Sequence, residues 1–293
     1  MQIQKVLVVG AGVMGGGIAQ LIAQAGLQAI LSDIDETIVK KSLDKTQKGL
    51  EGRVAKGKMT PSEVEQIMSR ITPSVGIEKA EEIDFVIEAI IEDIEAKKKL
   101  FAELDKVAPP HAILASNTTS CSITEIASAT NRPEKVVGMH FFNPPVVMKL
   151  VEIMPGLRTD PETLEITKEL AEKLGKTVVT TRTEGPAGIA SRVLAGMLNE
   201  AVWVLAEGIG GVEEIDKAMK LGSNLPMGPL ELIDLIGIDV HLAKTKTLYE
   251  KLGDPRYRPC YLLEKMLKAG YLGRKSGKGF YDYTQDPPVP LKF

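Results

Sequence analysis

Apolar and polar positions along the first part of the chain predict short strands separated by helices. Largely apolar runs, as found in strands buried within a parallel sheet, occur at 5–9, 29–33, 85–89, 112–115 and 178–180. Between most of these runs, apolar residues recur every three or four positions, which is typical of the buried face of a helix. The pattern therefore predicts an α/β fold with a doubly wound, mostly parallel sheet.

The pattern changes after Thr183-Glu184-Gly185, because helical periodicity continues without a convincing strand until the very end of the chain. Residues 189–207 are apolar nearly all round, as in a buried helix, and further helices are predicted at about 213–221, 228–236, 239–252 and 260–269. We therefore predict an α/β domain at 1–184 and an all-α domain at 185–293. The apolar first helix is buried either within its own domain or against a second copy, and the apolar surplus favours a homodimer.

A helical pair is inserted into the alternation of strands and helices. Residues 37–58 have a helical pattern and are strongly basic. A second helix opens at Thr60, where Pro61 occupies the first helical position and Glu63 completes a capping box. A charged helix face is usually solvated, and docking of a polyanionic ligand is the alternative.

Composition narrows the classes of function. A chain of 293 residues with 44% hydrophobic content buries a large core, and a net charge of -3 argues against nucleic acid as a general partner. Cys121 and Cys260 are too few for a disulfide framework and lack metal-ligand spacing, so we expect no metal. With no signal sequence before the first strand and no apolar run of membrane-spanning length, we expect a cytoplasmic protein that does not enter a membrane.

The first strand leads directly into Gly10-Ala-Gly12-Val-Met-Gly15, and a helix, a second strand and Asp33 follow in that order. The first two glycines allow a tight turn and close approach of a pyrophosphate, while the third allows close packing of helix and strand. Asp33 is suited to accept hydrogen bonds from a ribose hydroxyl, and its charge repels a 2′-phosphate. The segment predicts binding of NAD rather than NADP.

The stretch from Gly138 to Glu152 has the pattern of a strand, a sharp turn and a strand, since two apolar runs flank an Asn-Pro-Pro breaker. His140 and Glu152 are equally distant from Val146, so an antiparallel hairpin centred there places them opposite each other. That arrangement is a general base with the carboxylate that orients it. A histidine followed by two phenylalanines is more often a packed core residue, and the residues alone leave both interpretations open.

The residues alone also leave two interpretations open for each of two polar segments. The loop at 116–120 follows a strand end, where doubly wound sheets bind ligands, so its hydroxyls either contact a ligand or only cap the next helix. A second capping box at Ser122 and Glu125 is predicted to start that helix. The basic, glycine-rich segment 270–281 either folds back to the cofactor crevice or is a flexible terminus.

The sequence resembles the short-chain L-3-hydroxyacyl-CoA dehydrogenases over essentially the whole chain, most closely the bacterial 3-hydroxybutyryl-CoA dehydrogenases. The motifs that carry the resemblance lie at 10–15, 86–89, 115–118, 138–144, 148–152, 216–222, 226–230 and 273–281. The resemblance implies a Rossmann-type domain with an inserted helical pair, followed by an all-helical dimerisation and substrate domain. It also implies NAD as cofactor and a coenzyme A thioester as substrate.

The resemblance implies residue roles as well. His140 and Glu152 match the catalytic pair, while Thr119 replaces the usual serine and Ser191 the usual asparagine beside the reacting oxygen. The positions that match cofactor contacts are Gly10, Gly12, Gly15, Asp33, Glu92, Lys97, Asn143 and Lys275. The inserted helical pair matches the docking site of coenzyme A, with Lys56 and Lys58 as candidate lysines, since Glu51 and Ala55 replace the family's hydroxyl and lysine.

The expected activity is NAD-dependent interconversion of (S)-3-hydroxybutyryl-CoA and acetoacetyl-CoA, as used in fatty acid and butyrate metabolism. Two alternatives stay open at this point. One is a dehydrogenase of 3-hydroxyadipyl-CoA or of another 3-hydroxy acid, and the other is a relative that binds the cofactor without efficient turnover.

Overall fold

A computed structural model describes residues 3–293, which fall into two compact units. The first unit ends at Gly188 and the second begins at Ile189. The first is an α/β unit and the second is mainly helical. Each unit is built around its own apolar core.

The first unit alternates strands and helices, as the hydrophobic pattern predicts. Its strands are β1 (Lys5–Val9), β2 (Gln28–Asp33), β3 (Ile71–Val75), β4 (Phe85–Glu88), β5 (Ile113–Ser116), β6 (Val136–Phe141), β7 (Leu150–Pro155) and β8 (Thr177–Thr180). Its α-helices are α1 (Val13–Gln24), α2 (Glu36–Ala55), α3 (Pro61–Ser69), α4 (Ile94–Val107), α5 (Ile123–Ala127) and α6 (Pro161–Lys173).

The strands form one sheet in the order β3-β2-β1-β4-β5-β6-β7-β8. All neighbours pair in parallel except β6 and β7, which are antiparallel. The chain winds outward from β1 in both directions, so the strand order reverses between β1 and β4. The predicted doubly wound, mostly parallel fold is confirmed, and ligands of such sheets bind beside the point of reversal.

Strand β3 was not predicted from the sequence. Its five residues include Pro73, and only Ile71 and Ser74 are buried. A proline within a run argues against a central strand, because it cannot donate a hydrogen bond to the ladder. The structure resolves the conflict by placing β3 at the edge of the sheet, next to β2.

The inserted helical pair consists of α2 and α3, and the capping box at its second helix is confirmed. The Thr60 side chain accepts from the Glu63 N–H, and the Glu63 carboxylate accepts from the Thr60 N–H. Only half of the second predicted box forms. Ser122 Oγ accepts from the Glu125 N–H, but the carboxylate that accepts from Ser122 Oγ, at 3.1 Å, belongs to Glu184.

Strands β6 and β7 form the predicted antiparallel hairpin, and residue 140 pairs with residue 152. The turn between them is held by Lys176, whose ammonium donates to the carbonyls of Pro145 (2.5 Å) and Met148 (2.8 Å). Pro145 also lies against Gly17 of α1, where a side chain would overlap the proline ring. The hairpin is thus fixed both to the last crossover of the sheet and to its first helix.

The second unit contains α7 (Ala190–Ala206), α8 (Val212–Gly222), α9 (Pro229–Ile236), α10 (Ile238–Leu252) and α11 (Tyr261–Lys268). Two short strands, β9 (Tyr281–Asp282) and β10 (Val289–Pro290), pair in an antiparallel manner near the end of the chain. These helices match the five that the sequence predicts. Within residues 3–293, none of the helices has both the length and the apolar character needed to cross a membrane.

Candidate active site

The glycine turn after β1 is shaped for close approach of another molecule. Gly10 has a φ of +100°, which favours glycine, and a Cβ there would lie 2.5 Å from the Ala89 carbonyl oxygen. A Cβ at Gly15 would overlap the Gly10 carbonyl oxygen. A Cβ at Gly12, by contrast, would meet no atom within 4 Å. The first and third glycines are therefore required by packing, whereas Gly12 borders open space.

Asp33 and helix α1 complete this turn. The Asp33 carboxylate accepts from the N–H groups of Ala11 (2.7 Å) and Ile34 (2.8 Å), so it fixes the turn from the end of β2. Helix α1 has no side-chain cap and no acidic residue in its first turn. Its N-terminal N–H groups are available to an anion, as the pyrophosphate of a dinucleotide requires.

His140 lies between a carboxylate and a hydroxyl. Its Nδ1 is 3.2 Å from Glu152 Oε2, and its Nε2 is 3.2 Å from Thr119 Oγ1. His140 and Glu152 are 5% and 1% exposed, and the Phe142 ring packs on the imidazole with a centroid separation of 4.5 Å. The core interpretation of the sequence is thus correct for burial, yet both ring nitrogens have polar neighbours. Such an imidazole has its orientation fixed on three sides.

Gly188 contributes to the setting of Glu152, and sequence reasoning did not identify it. Its φ is +57°, and a Cβ there would overlap Glu152 Oε2. The preceding residue, Ala187, donates its N–H to the Thr119 carbonyl at 2.8 Å. Glycines occur in loops for several structural reasons, so the contact between Gly188 and Glu152 is visible only in the folded chain.

The loop at 118–120 is organised by Glu92. One Glu92 oxygen accepts from Thr118 Oγ1 (2.6 Å), the Thr119 N–H (2.9 Å), and both the N–H (2.7 Å) and Oγ (2.9 Å) of Ser120. Burial raises the pKa of Glu92, but the Lys97 charge and the hydrogen bonds from Thr118 and Ser120 outweigh it, so the pKa is lowered overall. The loop is therefore built around the carboxylate of Glu92, which lies in the connection between β4 and α4.

Lys97, which the resemblance places among the cofactor contacts, is only 1% exposed. Its ammonium lies 2.6 Å from the carboxylate of Glu88 and 3.4 Å from that of Glu92. Glu88 is fully buried at the end of β4 and was not singled out by sequence reasoning. Two carboxylates engage Lys97 in the structure, and its contact with a cofactor stays a prediction.

Asn143 is exposed in the turn of the hairpin, close in sequence to His140. Strand β6, which ends just before Asn143, is joined to the 116–120 loop by Asn117, whose Oδ1 accepts from the Phe141 N–H at 2.8 Å. The hairpin, the loop and the glycine turn all belong to the first unit. The structure thus joins His140 to Glu152 and Thr119, and Thr119 to Glu92, all within that unit.

The remaining predicted residues lie elsewhere in the chain. Lys56 is the C-cap residue of α2, and Lys58 is in the turn that follows; both are exposed. Ser191 lies in the first turn of α7. Lys275 lies in the tail and donates to both oxygens of Asp239, each at 2.6 Å.

The tail that carries Lys275 is ordered, so the interpretation as a flexible terminus is wrong. Asp234 is 1% exposed and accepts from the N–H groups of Phe280 (2.9 Å) and Tyr281 (3.0 Å) and from the Tyr283 hydroxyl (3.1 Å). Burial raises the pKa of Asp234 to about 6, against the effect of these hydrogen bonds. The carboxylate holds the tail to α9.

Comparison with known proteins identifies relatives along both units. Residues 5–184 match the family described as "3-hydroxyacyl-CoA dehydrogenase, NAD binding domain", and residues 189–283 match "3-hydroxyacyl-CoA dehydrogenase, C-terminal domain". A probable 3-hydroxybutyryl-CoA dehydrogenase of Bacillus subtilis is 50% identical over 97% of this chain and 99% of its own length.

Two further relatives bear on structure and substrate. The crystal structure of an (S)-3-hydroxybutyryl-CoA dehydrogenase from Ralstonia eutropha is 42% identical, with a TM-score of 0.93 over 97% of this chain and 100% of that one. A 3-hydroxyadipyl-CoA dehydrogenase of Escherichia coli is 41% identical over 98% of this chain and 60% of its own length.

The glycine turn predicts opposite outcomes for two alanine substitutions. Gly15→Ala should lower the thermal unfolding temperature, because the methyl group overlaps the backbone of Gly10. Gly12→Ala should keep wild-type stability but weaken NADH binding at least ~10-fold, because its methyl group occupies the space that a pyrophosphate approaches. Thermal denaturation and NADH fluorescence titration check the pair. A Gly12→Ala variant that binds NADH as tightly as wild type would contradict the assignment of this turn.

The lowered pKa of Glu92 predicts a pH-dependent contribution to stability. A carboxylate with a folded pKa below its unfolded value of ~4.3 stabilises the fold above that value, and the stabilisation is lost as pH falls through the folded pKa. Glu92→Gln should therefore lower the urea midpoint at pH 7, and the difference from wild type should shrink on acidification. Glu95→Gln, at an exposed carboxylate, is the control. A difference that stays constant with pH would refute the linkage.

Proposed function

Since the chain belongs to the 3-hydroxyacyl-CoA dehydrogenase family, we propose that it interconverts (S)-3-hydroxybutyryl-CoA and acetoacetyl-CoA with NAD as cofactor. The observation that carries the proposal is the buried His140, held between Glu152 and Thr119. Relatives named 3-hydroxybutyryl-CoA dehydrogenase, at 50% and 42% identity over nearly the whole chain, support this substrate.

The residues of the first unit fit NAD. Gly12 borders open space, the N-terminus of α1 is uncapped, and Asp33 stands at the end of β2, where a ribose hydroxyl is bound in dinucleotide folds. The carboxylate of Asp33 also disfavours a 2′-phosphate. When bound, NAD supplies the hydride acceptor for oxidation at C3 of the substrate.

The setting of His140 defines its role as base. Glu152 Oε2 lies 3.2 Å from Nδ1, and an ionised carboxylate can only accept, so the neutral imidazole carries its proton on Nδ1 and presents the lone pair of Nε2. In the oxidative direction, Nε2 removes the proton of the C3 hydroxyl, and Glu152 stabilises the imidazolium that forms. In the reverse direction, the imidazolium returns that proton to the oxygen of the 3-keto group.

Thr119 is proposed to hold the C3 oxygen beside His140. Its hydroxyl is already 3.2 Å from Nε2, within reach of an oxygen that contacts this nitrogen. By the family resemblance, Ser191 contributes a second hydrogen bond to the same oxygen. A serine hydroxyl reaches less far than the asparagine amide that it replaces. The hydrogen bond from position 191 to the C3 oxygen is therefore the contact that this replacement changes most.

The coenzyme A moiety is proposed to dock on the basic helical pair α2 and α3. Lys56 and Lys58 are exposed at the end of α2 and offer ammonium groups to its phosphates. The expected location of the protein is the cytoplasm, where acyl-CoA thioesters and NAD are both present.

A second candidate substrate is 3-hydroxyadipyl-CoA. It is favoured by the 41% identity to the Escherichia coli enzyme that is named for that substrate. The reaction at C3 is the same in both cases, so the choice depends on the far end of the acyl chain, which carries a methyl group in one substrate and a carboxylate in the other.

The helical unit is proposed to form a homodimer. Although Leu198 and Val202 of α7 are buried in the core of that unit, another face of α7 lines an apolar groove of ≈ 400 Å³. The groove is formed mainly by Met197, Ala201, Val204, Ile209, Ile215 and Met219. Burial of this surface against a second copy would remove it from water.

Replacing the base tests the reaction. His140→Gln should lower turnover ~10²–10⁴-fold while leaving NADH binding nearly intact, because only proton transfer is removed. The loss of NADH absorbance with acetoacetyl-CoA measures turnover, and fluorescence titration measures binding. His111→Gln, at an exposed histidine, should behave as wild type. Turnover retained by the His140 variant would refute its role.

The departure at position 191 has its own test. Ser191→Asn should change turnover or the preference among acetoacetyl-CoA, longer 3-ketoacyl-CoA and 3-ketoadipyl-CoA, because the longer side chain moves the proposed contact with the C3 oxygen. Ser223→Asn, at an exposed serine after α8, is the control. If both variants match wild type on all substrates, position 191 does not contact the substrate.

Light scattering tests the dimer. The wild-type chain should elute with twice its chain mass, and Ile209→Glu should shift it toward the monomer by placing a charge beside the Glu214 carboxylate in the groove. Leu157→Glu, at an exposed leucine of the first unit, should leave the mass unchanged. A monomeric wild-type protein at micromolar concentration would contradict the proposal.

A further inference from the structure

Glu88 is a fully buried carboxylate at the end of β4, next to the reversal point of the sheet. It accepts from three donors: one on α4, one on β5 and one in the connection that follows β4. These are the Lys97 ammonium (2.6 Å), the Ser116 hydroxyl (2.5 Å) and the Ile90 N–H (2.8 Å). No step of the proposed reaction uses this side chain directly.

The burial of this ion pair is energetically costly. Removing a carboxylate and an ammonium from water costs several kcal/mol per ion, and apolar replacements are often as stable. Glu88 and Lys97 are 0% and 1% exposed, so the pair is fully desolvated. A contribution to stability therefore explains these two buried charges poorly. A recognised use of such pairs is to fix the local geometry of the fold.

The pair leads to the catalytic loop by two routes. Lys97 also contacts Glu92 at 3.4 Å, and Glu92 collects the polar groups of residues 118–120. The second route runs through Ser116, whose Oγ donates to Glu88 and accepts from the Thr118 N–H at 3.2 Å. Both routes end at the backbone on either side of Thr119.

Thr119 is the residue whose position these contacts determine. Its N–H is held by Glu92, its carbonyl accepts from Ala187, and its hydroxyl lies 3.2 Å from His140 Nε2. A displacement of about 1 Å in a residue that orients reacting atoms lowers turnover as much as ~10²-fold. The position of the loop therefore matters for the rate as well as for the fold.

We propose that Glu88 is a positioning residue for catalysis, which acts through Lys97, Glu92 and Ser116 to hold the Thr119 hydroxyl beside His140. The inference rests on the proposed dehydrogenase function. Because Glu88 is fully buried, we assign it no direct contact with substrate or cofactor. Its effect on kcat should be transmitted mainly by the placement of Thr119.

Glu88→Gln tests this role because it removes the charge and keeps the shape. A matched control is Asp105→Asn, which breaks another ion pair of the first unit: Asp105 and Arg132 are 2.7 Å apart and 5% and 13% exposed. Both variants should lose stability. Below their unfolding temperatures, only Glu88→Gln should lower kcat for acetoacetyl-CoA reduction, by ~10-fold or more.

A double-mutant cycle with Thr119→Val separates positioning from a general structural effect. If Glu88 acts through Thr119, Glu88→Gln should cost less than about 2-fold in kcat in the Thr119→Val background, because the hydroxyl it positions is gone. An equal cost in both backgrounds overturns the proposal. Should Glu88→Gln fail to fold, Ser116→Ala takes its place in the same cycle, with the same expected coupling.

Different results would overturn the proposed dehydrogenase function and the positioning role of Glu88. A wild-type protein that does not reduce acetoacetyl-CoA overturns the proposed function, and the positioning role with it. An active wild type, with Glu88→Gln as active as Asp105→Asn, overturns the positioning role alone. An active wild type with a coupled loss in Glu88→Gln supports both.

Discussion

The candidate active site depends on one contact, the hydrogen bond between His140 Nδ1 and Glu152 Oε2 across the only antiparallel pair of the main sheet within residues 3–293. Residues that face each other in an antiparallel ladder have their side chains on the same face, so a short hairpin brings an imidazole and a carboxylate together. Lys176 holds the turn, and Gly188 leaves room for the carboxylate. A parallel pair would have needed a long crossover between the two residues.

Near that contact, the buried pair Glu88 and Lys97 lies beside Glu92, a carboxylate that is partly open to solvent. Glu92 and Glu88 collect N–H and hydroxyl groups from the loop that carries Thr119, and Lys97 joins the two carboxylates. Such groups are costly in a core unless each one has its partners. A site that must hold a hydroxyl beside a base with a precision of about 0.5 Å needs this rigidity, which loop backbone alone does not provide.

Much of this arrangement follows from local signals in the sequence. The doubly wound unit follows from apolar periodicity, the capping box from Thr60 and Glu63, and the partner of His140 from the central position of Val146. Other features depend on distant residues. Strand β3 contains a proline that only an edge position tolerates, and Glu88 meets Ser116 across 28 residues of chain. No spacing rule along the sequence predicts a pair of that kind, so Glu88 was recognised only in the fold.

The most direct test of the central contact is the protonation of the His140 imidazole, observed by ¹⁵N NMR at a pH where the ring is neutral. The chain has 3 histidines, so the signals can be assigned by single substitutions. We expect His140 to carry its proton on Nδ1, facing Glu152, with a lone pair on Nε2. A neutral ring with its proton on Nε2 would contradict the account, because that nitrogen could then not accept a proton from the substrate.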